Sequence, residues 1–279
     1  MHPTLFYIFG IQITTYGLMM AMAFAVMWLC TVSRGKKLGY DQDFILNLIT
    51  IIVISSFVFA RLLHVMVSWD LYKDNLSLIL LSRDGYVFLG GFVGAVACSL
   101  IYTKMHKQKI FGIADLFAPY IALAQGIGRI GCFLFGCCYG KVCSVPWGVK
   151  FPLDSPAYID HYNHGLISLS ALTSLPIHPT QLYHSFFNFA HFGLLIFIRS
   201  RQTFRGQIAM TYLMTYSVGR FIIEFYRGDA FRGIYGVLST SQIISIMLFI
   251  TGLAGLLILR KKALTPDAIV EPVQETSEE

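Results

Sequence analysis

Seven apolar stretches, each long enough to cross a lipid bilayer, constrain the fold of this 279-residue chain more than any other feature. A helix needs about 20 consecutive apolar residues to cross roughly 30 Å of hydrocarbon. The composition agrees, because 56% of the residues are apolar and only 13% are charged, far from the usage of soluble domains. We therefore expect an all-α polytopic membrane protein with seven transmembrane helices. The windows lie near residues 10–32, 43–69, 86–104, 112–138, 178–198, 206–226 and 236–259.

The cations of the loops predict the orientation, since Lys- and Arg-rich loops tend to stay in the cytoplasm. Twelve fall on one side and six on the other, which places the N-terminus outside and the C-terminus in the cytoplasm. The first span lacks a preceding basic segment and a small-residue cleavage site, so we interpret it as a retained helix. The larger set is Arg34, Lys36, Lys37, Lys104, Lys107, Lys109, Arg199, Arg201, Arg205, Arg260, Lys261 and Lys262; the smaller set is Lys73, Arg83, Lys141, Lys150, Arg227 and Arg232.

The remaining segments divide the chain into parts. The stretch between the fourth and fifth windows is rich in proline and too polar to span, so it predicts a small external head. The last residues are acidic and predict a cytoplasmic tail. The predicted parts are 1–139 with helices one to four, 140–177 as the head, 178–262 with helices five to seven, and 263–279 as the tail.

Charged side chains inside the spans need a partner or a function, because a charge near the bilayer centre costs about 2.5–3.5 kcal/mol on insertion scales. In TYSVGRFIIEFYRGD, Tyr216, Arg220 and Glu224 are spaced four apart, and Arg227 follows three residues later. One helix face would hold all four. The pattern indicates either a polar site or a neutralised ion pair that only fixes helix packing.

Arg129 has no acidic residue within one helical turn, so its counter-charge must come from another helix or from a ligand. Gly126, Gly128, Gly131 and Gly136 surround it, and small residues allow close approach of another backbone or a lipid headgroup. A guanidinium at headgroup depth can grip a phosphate with two parallel hydrogen bonds. The pattern favours a phosphate site, and helix packing by the glycines is the alternative.

Histidines accompany the fifth window, which opens with IHPTQLYHS. Pro179 suits a first helical turn, so His178 lies at the mouth of this span. His184, Asn188 and His191 share a helix face, but the two histidines are about 10 Å apart along the axis, too far to share a metal. We interpret that face as a hydrogen-bonded polar seam.

Four cysteines close the fourth window in a C-x4-C-C-x4-C pattern: Cys132, Cys137, Cys138 and Cys143. Zinc knuckles usually show C-x2-C pairs, so the metal signal is weak. On the oxidising side of a membrane a disulfide is the commoner outcome. The pattern therefore predicts that Cys143 pairs with Cys137 or Cys138.

Six motifs in order resemble those of the prolipoprotein diacylglyceryl transferases of bacterial membranes. They are YGLMM from Tyr16, FLGGFVGA in the third span, GRIGCFLFGCCYG in the fourth, HPTQLY in the fifth, YSVGRFIIEFYRGD in the sixth and LSTSQ opening the seventh. The resemblance covers almost the whole chain. It implies transfer of a diacylglyceryl group from phosphatidylglycerol to the thiol of a prolipoprotein's lipobox cysteine, with release of glycerol phosphate.

The resemblance also implies partners and a location. The partners would be phosphatidylglycerol, lipobox-containing prolipoproteins and membrane lipid, in a bacterial cytoplasmic (inner) membrane. We expect no cofactor and no metal. We expect no nucleic acid either, because the net charge of +6 has no basic groove interleaved with aromatic residues and suits anionic headgroups.

Roles for individual residues follow from the resemblance together with the chemistry. Arg129 and Arg220 would bind the phosphate and stabilise its charge as it leaves, and Glu224 would orient Arg220. Tyr16 and Tyr216 would hydrogen-bond donor oxygens. The expected substrate-binding residues are Tyr16, Gly128, Gly131, Gly140, Gln181, Arg227, Gly90 and Gly91.

The chain departs from the family pattern at three positions. Leu89 stands where many members carry histidine, Cys132 where asparagine is usual, and Cys137 where an acid is usual. Leucine cannot take a proton, so His178, Tyr216 or a thiolate would replace a missing base, unless cationic activation of the acceptor thiol suffices. The expected catalytic residues are Arg129, Arg220, Tyr216, Glu224 and His178.

Two other functions remain open at this stage. A divergent glycerolipid transferase or lipase-like enzyme would act on another acceptor, and the three departures favour it. A lipid-binding or transport protein would bind an anion without turnover, although the chain shows no internal repeat of the kind that many transporters carry.

Overall fold

The computed structural model describes residues 4–8, 11–73, 75, 77, 79, 85–228, 233–236 and 238–263. Eight α-helices lie within these ranges. Five of them, α1, α2, α3, α4 and α8, are long and apolar enough to cross a membrane, so the chain is a multi-pass membrane protein. The helices are α1 (Thr15–Lys37), α2 (Gln42–Val67), α3 (Phe88–Met105), α4 (Ile110–Phe135), α5 (Pro156–Asn163), α6 (Thr180–Arg199), α7 (Gln207–Glu224) and α8 (Thr240–Ala263).

Each of the seven apolar windows contains a helix. The fifth and sixth windows hold α6 and α7, which bury many polar side chains. The first window was placed too early, because the strands β1 (Thr4–Ile8) and β2 (Ile11–Thr14) form an antiparallel hairpin before α1. The hydroxyl of Thr14 accepts a hydrogen bond from the Gly17 amide at 3.1 Å, so α1 begins after a capping residue.

The chain folds as two compact units, Met1–Cys30 with Ala114–Glu279, and Thr31–Ile113. In the second unit the glycines of FLGGFVGA allow α3 to pack closely on α2. A Cβ atom on Gly91 would lie 2.7 Å from the Ser56 carbonyl oxygen, and one on Gly90 would lie 2.5 Å from that of Phe59. Both glycines were predicted to bind substrate, and the contacts that the structure gives them are with α2. Leu89, which precedes them, is exposed.

In the first unit a core of alanine, leucine and isoleucine side chains joins α4, α6 and α7. Ala118 and Ala122 of α4 pack against Leu195 and Ile208. The buried Asp115 carboxylate accepts hydrogen bonds from the amides of Gly206 at 2.6 Å and Ala209 at 2.8 Å, so it satisfies free N–H groups at the start of α7.

The residues between α4 and α6 form a small head with its own core of Tyr139, Phe151, Ala157 and Ile177. The short helix α5 lies in this segment, and the Ser155 side chain caps it by accepting from the Tyr158 amide at 3.2 Å. The strands β3 (Ile234–Tyr235) and β4 (Leu238–Ser239) form a second hairpin, directly before α8.

Candidate active site

The site is built around the end of α4, where the helix stops at a glycine. Gly136 has a φ of +86°, a conformation that favours glycine and commonly ends helices. Its amide and that of Cys137 both donate to the Cys132 carbonyl, at 2.9 and 3.2 Å. The chain therefore turns sharply at Cys137 and Cys138.

The first turn of α6 holds this cysteine turn in place. The Thr180 hydroxyl donates to the Cys138 carbonyl at 2.9 Å, and the Gln181 side-chain amide donates to that of Cys137 at 2.7 Å. Gln181 is fully buried, and its Oε1 has no hydrogen-bond partner. The Gln181 amide group thus positions the turn that carries two thiols, and its predicted role in binding substrate stays a prediction.

Gly140 joins three segments of the chain. Its amide donates to the His178 carbonyl at 3.0 Å, while the next amide, of Lys141, donates to the Tyr226 carbonyl at 2.8 Å. A Cβ atom at Gly140 would lie 2.5 Å from the His178 oxygen, so no side chain fits there. The backbone at Gly140 thereby brings the ends of α4, α6 and α7 together.

An ion pair on α7 is the most buried charged feature of the site. Arg220 Nη1 lies 2.7 Å from Glu224 Oε2, and its Nη2 donates to the Ser241 hydroxyl at 2.7 Å. Ser239 donates to the other Glu224 oxygen at 3.0 Å. Glu224 is only 2% exposed, so both charges are fixed by partners, as the i, i+4 spacing predicted.

Arg129 differs from Arg220, because among the described residues it makes neither an ion pair nor a hydrogen bond. It lies near enough to Arg220 and His184 to interact with them electrostatically. Of the two predicted sources of counter-charge, another helix or a ligand, the described part of the chain shows no ion pair from another helix. This leaves a guanidinium free for an anionic ligand.

Tyr16 reaches this region because α1 packs on the glycines of α4. A Cβ atom on Gly131 would lie 2.8 Å from the Met19 side chain, and one on Gly128 would lie 3.2 Å from the Met20 sulfur. Tyr16 interacts electrostatically with Arg129 and the neighbouring thiols. These contacts are of the kind that the helix-packing alternative describes, and the contact of the two glycines with substrate stays a prediction.

Arg227 adds a third guanidinium. It is 8% exposed, and its backbone forms a β-bridge with Gly140. It interacts electrostatically with Arg220 and His184. Arg129 and Arg227 thus both lie near enough to Arg220 and His184 to interact with them electrostatically.

His178 lies just before α6 and is engaged with aromatic side chains. Its Nδ1 is 3.1 Å from the Tyr183 hydroxyl, which accepts a hydrogen bond from Trp147 Nε1 at 2.7 Å. Its ring centroid is 5.2 Å from that of Tyr226. The Tyr183 hydroxyl can therefore donate to Nδ1, which would leave the other ring nitrogen protonated.

The polar seam of α6 is present, and one of its members belongs to the site. His191 Nε2 lies 2.6 Å from the Thr215 hydroxyl, and Asn188 donates to the His184 carbonyl. His184 Nε2 is 3.4 Å from Arg220 Nη1. The sequence analysis placed His184 only in a hydrogen-bonded polar seam, and its helical spacing from Asn188 and His191 was the signal that it is buried.

Tyr216 stacks on Tyr212, with ring centroids 5.6 Å apart and planes 8° from parallel. Tyr212 in turn donates to Gln125 at 3.1 Å. Tyr216 interacts electrostatically with Arg220, so it borders the ion pair.

The sequence analysis did not single out Ser239 and Ser241, which bond Glu224 and Arg220, although the motif LSTSQ contains both.

Three thiols converge at the end of α4. The sulfur atoms of Cys132, Cys137 and Cys138 all lie within 4.8 Å of one another. All six cysteines of the chain are free, so the predicted disulfide to Cys143 is wrong. Cys137 and Cys138 instead turn back toward Cys132, because Gly136 and the contacts from α6 reverse the chain there.

The thiols and arginines act on one another. Arg129 and Arg227 interact electrostatically with Cys138, so positive charge lies beside the thiol cluster.

Comparison with known proteins identifies relatives across almost the entire chain. A sequence profile described as "Prolipoprotein diacylglyceryl transferase" matches residues 3–258. A protein of Clostridium tetani named "Phosphatidylglycerol--prolipoprotein diacylglyceryl transferase" is 36% identical over 253 residues, which cover 91% of this chain and 96% of that one. A protein of Clostridium perfringens, with the same name followed by 2, is 35% identical, covering 88% of this chain and 91% of that one. A third, from Clostridioides difficile, is 31% identical, covering 92% and 95%.

Proposed function

The chain belongs to the prolipoprotein diacylglyceryl transferase family, and from that premise we propose how its described residues carry out the reaction. It transfers the diacylglyceryl group of phosphatidylglycerol to a prolipoprotein. The acceptor is the thiol of the lipobox cysteine, and glycerol phosphate leaves. The free Arg129 beside the fixed pair of Arg220 and Glu224 is the observation that carries this assignment.

Arg129 and Arg220 have separate tasks in this reaction. Arg129 has no partner among the described residues, so it binds the phosphodiester of the donor with two parallel hydrogen bonds. Arg220 is held by Glu224 and Ser241, so its remaining donor capacity points in a fixed direction. A donor that is fixed before the reaction stabilises a developing phosphate charge without reorganising.

The acceptor thiol needs to react as a thiolate, since the thiolate is the nucleophilic form. Positive charge from Arg129, Arg220 and Arg227 favours that anion. His178 is engaged with Tyr183 of α6. This contact supports activation of the acceptor thiol by the cationic site over removal of its proton by His178. Tyr16 and Tyr216 flank the arginines and hydrogen-bond the donor oxygens.

The head provides the place where the prolipoprotein docks. A cleft of about 370 Å³ is lined by Tyr139, Gly140, Asp160, His161 and Gly228. It shares Gly140 with the junction that joins the ends of α4, α6 and α7. Burial lowers the pKa of His161, so the cleft holds a neutral imidazole at neutral pH.

The arrangement in the membrane follows the apolar windows and the loop cations. All seven windows form spans, with α6 and α7 completing the five apolar helices. The N-terminus and the head 140–177 face outward, and the end of α8 faces the cytoplasm. This puts the arginines near the outer headgroups of a bacterial cytoplasmic membrane, where phosphatidylglycerol and exported prolipoproteins meet. The predicted tail 263–279 lies, apart from Ala263, outside the described residues.

A reconstituted assay tests the assignment. Purified protein is incubated with labelled phosphatidylglycerol and a lipobox peptide, with a Cys→Ser peptide as the matched control. We expect the mass of one diacylglyceryl group on the cysteine peptide alone. Consumption of the lipid without peptide modification would instead indicate a lipase or another acceptor, and binding without turnover would indicate a lipid-binding protein.

A further inference from the structure

We propose that Cys132, Cys137 and Cys138 hold a Zn²⁺ ion through three thiolates, with the fourth coordination position open to the acceptor thiol. The identity of the acceptor rests on the proposed function, whereas the ion site rests on the thiol cluster itself. The sequence pattern lacks a C-x2-C pair and predicted no metal. Only the fold brings these sulfurs together.

The spacing of the sulfurs suits a tetrahedral ion. A Zn–S bond is about 2.3 Å long, so two sulfurs of a tetrahedral site are about 3.8 Å apart. The three sulfurs already lie within 4.8 Å of one another. Side-chain rotations that move the sulfur atoms by about 1 Å would complete the geometry without moving the backbone.

The backbone that presents the thiols is fixed from three directions. Gly136 ends α4 one turn after Cys132, and its amide bonds the Cys132 carbonyl at 2.9 Å. Thr180 and Gln181 bond the carbonyls of Cys138 and Cys137. A rigid frame for the ligands lowers the entropy that is lost on binding an ion.

The kind of ligand selects the kind of ion. Within the described residues the cluster contains three cysteines and no carboxylate or imidazole, and thiolates favour zinc and copper(I) over magnesium or calcium. Zinc is four-coordinate, and catalytic zinc sites keep one position for water or substrate. Three protein thiolates therefore leave one of the four coordination positions of zinc open.

The charge of the site is also compatible with zinc. Three thiolates and Zn²⁺ carry one net negative charge, and a fourth thiolate makes it two. Arg129 and Arg227 interact electrostatically with Cys138, so they offset this charge. The same arginines keep the anionic donor lipid nearby.

The bound ion would activate the acceptor. A thiol that coordinates zinc is deprotonated, and its proton passes to water. The zinc-bound sulfur would then attack the carbon of the diacylglyceryl group that is bonded to the phosphodiester oxygen. A C–S bond forms, the C–O bond breaks, and the electron pair leaves with glycerol phosphate beside Arg129 and Arg220. The thioether product carries no charge and binds zinc weakly, so it dissociates.

Metal analysis of the purified full-length protein tests the site. We expect one zinc per chain, with zinc affinity reduced at least tenfold in Cys132→Ser, Cys137→Ser and Cys138→Ser. Cys143→Ser is the matched control, because Cys143 lies in the head outside the cluster, and it should keep its zinc. Thermal unfolding of each variant reports whether it is folded.

Cobalt substitution of the wild-type protein gives a second readout that needs no variant. Thiolate-to-cobalt charge-transfer absorption is expected, and the cysteine lipobox peptide should change it whereas the Cys→Ser peptide should not.

Zinc content that is equal in wild type and cluster variants would overturn the site. Full lipid transfer by zinc-free protein would overturn the role of zinc and leave the transferase assignment intact. Zinc that depends on the three cysteines, without any peptide lipidation, would support the ion site and contradict the proposed function.

Discussion

At the scale of single residues, the two central arginines differ in how they are satisfied. Arg220 is paired with Glu224 at 2.7 Å and bonded to Ser241, while Arg129 has no such partner among the described residues. The spacing of Arg220 and Glu224 on one helix made their pairing predictable. The absence of a carboxylate near Arg129 was predictable only within its own helix, since other helices could have supplied one.

Replacing Arg129 tests the phosphate site. We expect Arg129→Ala to lower kcat for lipid transfer about 100-fold or more, because a positioned donor to a developing anion is worth about that much. Arg129→Lys should retain part of the activity, since an ammonium lacks the bidentate fork. Initial rates of peptide lipidation measure the effect. Lys104→Ala, on α3, should behave as wild type, and an Arg129→Ala enzyme of normal rate would remove Arg129 from the site.

Breaking the buried ion pair separates stability from activity. Glu224→Ala leaves Arg220 buried without its carboxylate, which should lower the free energy of unfolding by about 3–5 kcal/mol. A double-mutant cycle with Arg220→Gln, measured by unfolding in detergent micelles, gives the coupling energy. We expect the double variant to recover much of the stability and none of the activity. A coupling energy near zero would contradict the pairing.

At the scale of elements, the site depends on where helices end. The end of α4, the start of α6 and the end of α7 meet at Gly140, whose neighbours are carbonyl oxygens of the other two segments. Sequence patterns located each of the seven long helices to within about five residues, whereas the short helix α5 in the head was not predicted. They did not indicate that Gly140 is a backbone junction, because a glycine outside a helix can equally serve a turn or a ligand.

An added methyl group tests this junction. Gly140→Ala places Cβ 2.5 Å from the His178 carbonyl oxygen and 2.8 Å from that of Tyr226. The backbone must shift, so we expect a loss of about 1–3 kcal/mol of stability and a clear loss of transfer. Gly193→Ala is the matched control, because its Cβ would meet nothing within 4 Å. Equal melting temperatures for the two variants would argue against the junction.

At the scale of the whole molecule, seven apolar windows and the bias of the loop cations determine the expected path through the membrane. Five helices meet the length and hydropathy of a span. The other two, α6 and α7, are less apolar because they carry the polar seam and the ion pair. Helices that carry a polar site inside a bilayer are expected to have a lower mean hydropathy than helices that only span it.

Reporter fusions test the path. A periplasm-dependent reporter inserted in the head, near residue 165, should be active, and the same reporter after residue 262 should be inactive. A cytoplasm-dependent reporter should show the reverse pattern at both positions. Activity of the same reporter at both sites would show that the number of spans between them is even and would contradict the seven-span arrangement.

Sequence alone determined the class of protein, the positions of its helices and the family resemblance, because apolar length and residue spacing are local properties of a chain in lipid. It also identified the arginines, since a charge in an apolar window stands out. Tertiary structure alone decided that Cys132, Cys137 and Cys138 converge instead of pairing with Cys143, that Gln181 holds a backbone carbonyl, and that His184 lies beside Arg220. These are contacts between segments distant in the chain, and their geometry depends on how helix ends pack, which residue spacing does not encode.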